Sequence, residues 1–395
     1  MGSRSMFHHV CEVLAGWLRG PVALDPDLSD HGWKALLTAA RVHGIGPRLA
    51  AILEDATWVP VEIAKWIELE AELNRQRVGL LRSEGAEILG AAANRNIDVL
   101  PLKGLALAGH ISRLSALPTE SGVTCRLEQR PMADLDLLVR PAHAAALHQT
   151  LIELGYRRMV SKAKHDEYLP HTGRHVASRE HEHPDNPRPV EVHRLCGESF
   201  AGTRCDLTDG IWSSARFVAF GDFEVPVPGV RTVWTHLLLH ASWQWWFGGG
   251  RMVQLLDLVE LLPAIPDPAA AIAEIDPRIA LLALSPTDRL LPKRLPAGLI
   301  EDLERRAGKS TTRLAVGLEP VGSSHLTTYG RSRLLRILQL YLGRPRALAR
   351  AIGYVFAPGI DEMLINHDRV PQGPARAIAY PILWLWHLAN IVGRA

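Results

Sequence analysis

Two aspartates, Asp134 and Asp136, stand one residue apart at the head of the apolar run Leu135-Asp136-Leu137-Leu138-Val139. An extended strand sends alternate side chains to one face, so both carboxylates point the same way. Two carboxylates side by side repel one another unless a cation sits between them. Hard divalent ions take such oxygen ligands, and Mg2+ is commonly held by one or two carboxylates together with substrate phosphates. A third acid, Glu191, lies in Pro189-Val190-Glu191-Val192-His193, flanked by apolar residues where an unpaired carboxylate is unfavourable. Brought beside the aspartates, it completes a two-metal centre. A D-x-D pair alone is more often a solvated strand start, so the weight falls on what accompanies it.

Upstream, Leu100-Pro101-Leu102-Lys103-Gly104 closes one apolar run and opens a helix. A helix N-terminus reached through glycine offers free N–H groups and the positive end of a dipole to a phosphate. Lys103 adds a formal charge there, although a Lys-Gly step alone is usually a plain turn. Arg130, just ahead of the aspartates, is a second candidate phosphate ligand. His193 follows Glu191 on the same strand face and is placed to orient it or a phosphate. Asp257, inside the apolar Leu255-Leu256-Asp257-Leu258, reads equally as a cleft-facing acid or a paired structural one.

The elements that must position these residues form a mixed α/β core over 95–200 between helical regions at 1–94 and 201–395. Helical spacing marks Phe7 to Leu18, a block from His31 to Leu53 broken at Gly44-Ile45-Gly46-Pro47, and a long proline-free stretch from Val61 to Asn94. Ile97 to Leu102 then reads as a strand, Leu105 to His110 as a short helix, Leu135 to Val139 as a strand and Ala142 to Leu154 as a helix. Tyr156 to Leu195 reads as strands and loops. After Phe223–Val227 helices return, clearest at Val233–Phe247 and Met252–Leu262, which Gly248-Gly249-Gly250 separates. Weaker helical blocks run on to Ala377–Val392.

Together these features resemble the nucleotidyltransferase fold of the DNA polymerase β superfamily. They resemble more narrowly a bacterial branch of uncharacterised nucleotidyltransferases. The likeness rests on Leu102-Lys103-Gly104, the block Arg130 to Val139, Leu154-Gly155-Tyr156, Val190-Glu191-Val192-His193, His236-Leu237-Leu238-Leu239-His240 and Leu255 to Leu258, and it spans roughly 30–265. It implies an α+β core and transfer of a nucleoside monophosphate from a nucleoside triphosphate, with ATP the expected donor and pyrophosphate released. Asp134, Asp136 and Glu191 would be the catalytic ligands of Mg2+ or Mn2+, and Lys103, Gly104 and Arg130 would bind the nucleotide. It also implies a small-molecule, peptide or protein acceptor. A kinase using the same site, or an inactive nucleotide-binding protein, is the alternative. Leu105 stands where the superfamily usually has a serine after the glycine. The long interval before Asp134 points to an inserted loop near 117–129.

The remaining signals are quieter. The 44 Lys and Arg residues nearly balance the 42 Asp and Glu, for a net charge of +2, which makes a nucleic-acid acceptor the less expected one. Cys11, Cys125, Cys196 and Cys205 form no C-x-x-C pair and read as free thiols. The start carries no charged segment, apolar run and cleavage site, so the expected location is cytoplasmic, with Met6 a candidate native start. Histidines 165, 171, 175, 181, 183 and 193 invite a zinc reading, but exposed or substrate-facing rings are expected. His236 and His240 read as core or interface residues, and Trp243, Trp245 and Trp246 as core rather than a base-stacking platform. The apolar tail at 377–392 is short for a span. It reads as a packed helix, with a peripheral membrane contact through the C-terminal helices the alternative.

Overall fold

A computed structural model describes residues 3–20, 25–114, 127–162, 164–171, 183–200, 203–220, 223–318, 333–342 and 344–356. The first region is built of α1 (Ser3–Arg19), α2 (Asp30–Val42), the short α3 (Leu49–Ile52) and α4 (Val61–Ala93). Ser29 caps α2 by accepting from the Gly32 amide. Helix α4 follows Pro60, which fixes the backbone where a helix has no hydrogen bond to lose.

A five-stranded mixed sheet follows: β1 (Val99–Pro101), β2 (Leu135–Val139), β3 (Tyr156–Ser161), β4 (His165–Pro170) and β5 (Val190–His193). Helix α5 (Lys103–Leu114) leaves β1, and α6 (Ala144–Glu153) links β2 to β3. The strand order is β1-β2-β5-β4-β3. β2 and β5 are parallel, and every other neighbouring pair is antiparallel. Pro101 lies on the edge strand, where its missing N–H costs no ladder bond.

The two faces of the sheet differ, and the alternation in the sequence explains how. Leu135, Leu137, Val139, Val190, Val192 and Tyr168 belong to the main apolar core, with Leu147 and Leu151 of α6 and Val78, Leu81 and Ile88 of α4. Leu138 turns the other way into a small second cluster with Leu100, Leu102, Cys196 and Ile211. Asp136, Glu191 and His193 therefore share the face opposite the main core.

The end of the mixed region differs from expectation. Residues 197–227 form two hairpins, β6 (Gly197–Phe200) with β7 (Thr203–Asp206), and β8 (Arg216–Phe220) with β9 (Phe223–Val227), separated by α7 (Thr208–Ser214). None of these four strands is assigned from the sequence alone, although Gly221-Asp222 between two apolar runs is a hairpin signal. Helix α5 also begins two residues before the expected Leu105, and α6 is preceded by a 3-10 turn at Pro141–His143.

Helices α8 (Val230–Phe247) and α9 (Met252–Leu261) follow. The left-handed Gly248, at φ +91°, closes α8. Further helices run from Pro268 to Val316, then over Arg333–Tyr341 and Pro345–Phe356. Trp245 and Trp246 are buried, with Trp246 against Phe200, as a core reading requires. Cys11, Cys196 and Cys205 are free thiols. Among the described residues no helix is long and apolar enough to cross a membrane. The apolar tail at 377–392, the loop near 117–126, Cys125, His175 and His181 lie outside the described residues.

Candidate active site

The parallel pairing of β2 with β5 sets Asp136 directly beside Glu191 and Leu138 beside His193. Asp134 sits just before β2, partly exposed, whereas Asp136 is 3% exposed. Residues far apart in the chain thus meet on one sheet face.

One buried arginine fixes both approaches to this face. Arg77 of α4, 1% exposed, donates to the carbonyls of Met132 (2.9 Å) and Ala133 (2.6 Å), just ahead of the aspartates. It also donates to those of His183 (2.9 Å), Asn186 (3.0 Å) and Pro187 (3.1 Å), which lead into β5. A planar guanidinium with five N–H donors can bind several carbonyls at once, as an ammonium cannot with the same geometry. Nearby, Arg188 forms a two-pronged contact with Glu84 of α4.

The charges within the site are internally engaged. Lys103 Nζ donates to Asp136 Oδ1 at 2.7 Å, and His193 Nε2 donates to the same oxygen at 2.8 Å. His193 Nε2 also lies 3.3 Å from Glu191 Oε2. Burial opposes ionisation of Asp136, but the Lys103 ammonium and the His193 hydrogen bond hold it well below the usual carboxylate range. Asp134 goes the other way. Burial and the neighbouring Asp136 and Glu191 raise it, against the pull of Lys103 and Arg130. Burial works against the charge on Lys103, yet Asp136, Asp134 and Glu191 together raise its pKa. Besides burial, the charges of Asp136 and Glu191 push Asp134 up, and a divalent cation bound among the three carboxylates would relieve that repulsion.

Lys103 adopts φ +42°, in the left-handed region that side-chain-bearing residues seldom enter. The strand-to-helix turn holds it there: the Leu102 amide donates to the Asp136 carbonyl at 2.8 Å, and α5 begins at once. Gly104 is closely packed: a Cβ there would lie 2.9 Å from Met132 Cε and 3.1 Å from Arg130 Nη1, so the ends of those two side chains would have to shift. The first amides of α5 are left for an external acceptor, as at any helix N-terminus.

Arg130 and Asp257 meet each other. Arg130 Nε and Nη2 donate to the Asp257 carboxylate at 2.9 Å each, and Nη1 is 3.3 Å from the Pro131 carbonyl. Of the two readings of Asp257, the paired one describes its position, at 1% exposure. Lys103, the first residue of α5, contacts Asp136 directly.

Sequence reasoning misses a second polar group beside the site. Glu198 of β6 pairs with Lys164 (2.9 Å) and accepts from His240 Nδ1 of α8 (3.2 Å). Burial opposes its charge, but His240 and Lys164 hold it down at about 2. His236, one turn before His240 and 5% exposed, is pushed down to about 3 by burial, with His240 and Lys103 adding to the effect. No local pattern distinguishes Glu198; the spacing of His236 and His240 on one helix face was the available signal.

The five-stranded mixed sheet, with helices flanking it, is an α+β fold of the nucleotidyltransferase type. The chain belongs to the uncharacterised nucleotidyltransferase family, which it matches over residues 29–275. That span runs from the first residues before α2 to beyond α9 and contains every residue of the site. No curated protein matches the chain. Among solved structures, the chain is similar to the antibiotic-resistance factor ANT(2'')-Ia, at 15% identity and a TM-score of 0.28, over 60% of this chain and 94% of that one.

Proposed function

We propose that this protein transfers a nucleoside monophosphate from a nucleoside triphosphate to a small-molecule, peptide or protein acceptor, releasing pyrophosphate. The observation that carries the reading is the pairing of Asp136 with Glu191 across β2 and β5, with Asp134 one strand step away. Asp134, Asp136 and Glu191 would hold two Mg2+ or Mn2+ ions. Such ions clamp a triphosphate, lower the pKa of an acceptor hydroxyl and neutralise charge developing on the phosphoryl oxygens.

The chain's own groups supply the rest. Lys103 neutralises Asp136 in the free protein and is the cation best placed to turn to the β- or γ-phosphate, taking over the role of the serine that Leu105 replaces. The amides at the start of α5 offer the same phosphates a positive dipole end. Glu191 either completes the ligand set or takes the acceptor proton. Arg130, engaged by Asp257, braces the residues before the aspartates and Gly104. His193 holds Asp136 and Glu191 in register. ATP is the expected donor, and a cytoplasmic location the expected setting.

The test is incubation of the full chain with each nucleoside triphosphate, Mg2+ or Mn2+, and pooled candidate acceptors, followed by mass spectrometry. An acceptor mass raised by a nucleoside monophosphate, with pyrophosphate in solution, supports the reading. Release of nucleoside diphosphate with a phosphorylated acceptor replaces it with a kinase. Triphosphate binding with neither product makes the chain a nucleotide-binding protein.

A further inference from the structure

We infer that His165, Glu191 and His193 form a binding position for a transition-metal dication of the Zn2+ or Co2+ type, beside the all-oxygen position of Asp134 and Asp136. The inference rests on the reading of this centre as a metal-dependent nucleotidyltransferase. It assigns the two sides of the centre to different metal chemistries.

The sheet builds the trio. His165 of β4 is directly opposite His193 of β5, and the two rings lie 5.1 Å apart. Glu191 is two residues before His193 on the same strand and so on the same face. One ligand atom from each of the three residues lies within 4.8 Å of the other two. Ligands sharing one ion at bond lengths of ~2.0–2.2 Å stand roughly 3–4 Å apart, so side-chain rotation alone can close the set.

A second observation points to a ligand. His165 Nδ1 is buried and has no hydrogen-bond partner among the described residues. A buried polar nitrogen without a partner is unfavourable, and coordination would relieve it. His193 Nε2 shares its proton between Asp136 and Glu191. An ion taking that nitrogen displaces the proton to solvent and replaces the contacts of His193 Nε2 with Asp136 and Glu191.

The donor set decides which ion fits. Imidazole nitrogens favour Zn2+, Co2+ and their neighbours, whereas Mg2+ prefers oxygen alone. Two histidines and one carboxylate also leave positions open for water or a substrate oxygen. Asp134 and Asp136 offer only oxygen. Glu191 lies between the two positions and can serve either.

The test is metal binding by the chelator-stripped full chain without nucleotide. Co2+ should give visible d–d absorption that saturates at one ion, and Zn2+ should bleach it, while a tenfold excess of Mg2+ should not. His165→Gln and His193→Gln should each weaken Co2+ binding on the order of a hundredfold. Asp134→Asn should change it less than fivefold while weakening Mg2+ binding measured by calorimetry. Thermal unfolding shows whether each variant is folded; if His193→Gln is not, the substitution of the less buried His165, His165→Gln, decides. Absence of a saturable Co2+ spectrum in the wild-type chain overturns the inference, as does an unchanged spectrum in folded His165→Gln. Pyrophosphate release with Mg2+ is measured separately. Its absence in a chain that binds Co2+ through His165 overturns nucleotidyl transfer and leaves this inference standing.

Discussion

Lys103→Met removes one charge and keeps most of the side chain's apolar stem. In the free protein Lys103 Nζ lies 2.7 Å from Asp136 Oδ1, and the two side chains are 21% and 2% exposed. Breaking a buried ion pair from one side costs ~3–5 kcal/mol, and losing a single charge-assisted hydrogen bond ~1.5–3 kcal/mol. His193 still donates to Asp136 after the substitution, so the lower range applies, and a loss of about 2–3 kcal/mol is expected. Chemical denaturation in metal-free buffer measures it. Saturating Mg2+ should shrink the difference, because a divalent ion relieves the same carboxylate. Triphosphate affinity, measured by calorimetry with a non-hydrolysable analogue, should fall roughly tenfold to a hundredfold, as ~1.5–3 kcal/mol implies. Lys103→Arg should restore little, since a planar fork does not replace a compact ammonium. Lys103→Gly also lacks the charge but relieves the φ of +42°. It should be about 1 kcal/mol more stable than the Met variant. If Lys103→Met unfolds like wild type without metal, the pair with Asp136 contributes nothing. If it also binds triphosphate like wild type, Lys103 is only a turn residue.

Four further expectations can be checked with similar tools. Asp134→Asn should raise stability in metal-free buffer by removing repulsion with Asp136 and Glu191, whereas Asp136→Asn should lower it by stranding Lys103 and His193; both should abolish Mg2+-dependent turnover, and retained turnover at matched stability refutes the metal site. Glu191→Gln should lower kcat and leave triphosphate affinity within a few-fold; the reverse pattern moves Glu191 to the triphosphate side. Arg77→Met leaves five backbone carbonyls without their donor and should cost at least ~3–5 kcal/mol; a change below ~0.5 kcal/mol in denaturant titration refutes its bracing role. Thermal stability should fall on acidification: His236, held at about 3, adds stability above pH ~6.5 that is lost below it, and Glu198, held at about 2, adds stability above the ordinary glutamate range that is lost as pH drops towards 2; a melting temperature flat from pH 7 to 4 contradicts the first, and one that does not fall further below pH ~4.5 contradicts the second.

Much of this centre is present in local patterns. The run Leu135 to Val139 and the alternation of Val190-Glu191-Val192-His193 fix which residues face which way, because a strand repeats every two residues. The proline-free stretch after Pro60 fixes a long helix, and Lys103-Gly104 marks a strand-to-helix turn. What no local period encodes is the partner strand. That β5 lies parallel to β2, with Asp136 against Glu191, and that β4 brings His165 against His193, are matters of register across distant segments. Long polar side chains escape local reading for the same reason. Arg130 could have met a phosphate or a carboxylate, and only the packing of α9 supplies Asp257, 127 residues away. Arg77 looks from its surroundings like any charge on an amphipathic helix, yet it reaches carbonyls up to 110 positions along the chain. The sequence by itself determined the chemical groups and the face each one occupies. Tertiary structure decided which groups meet, because register, burial and the reach of a long side chain depend on residues that are neighbours only in the folded chain.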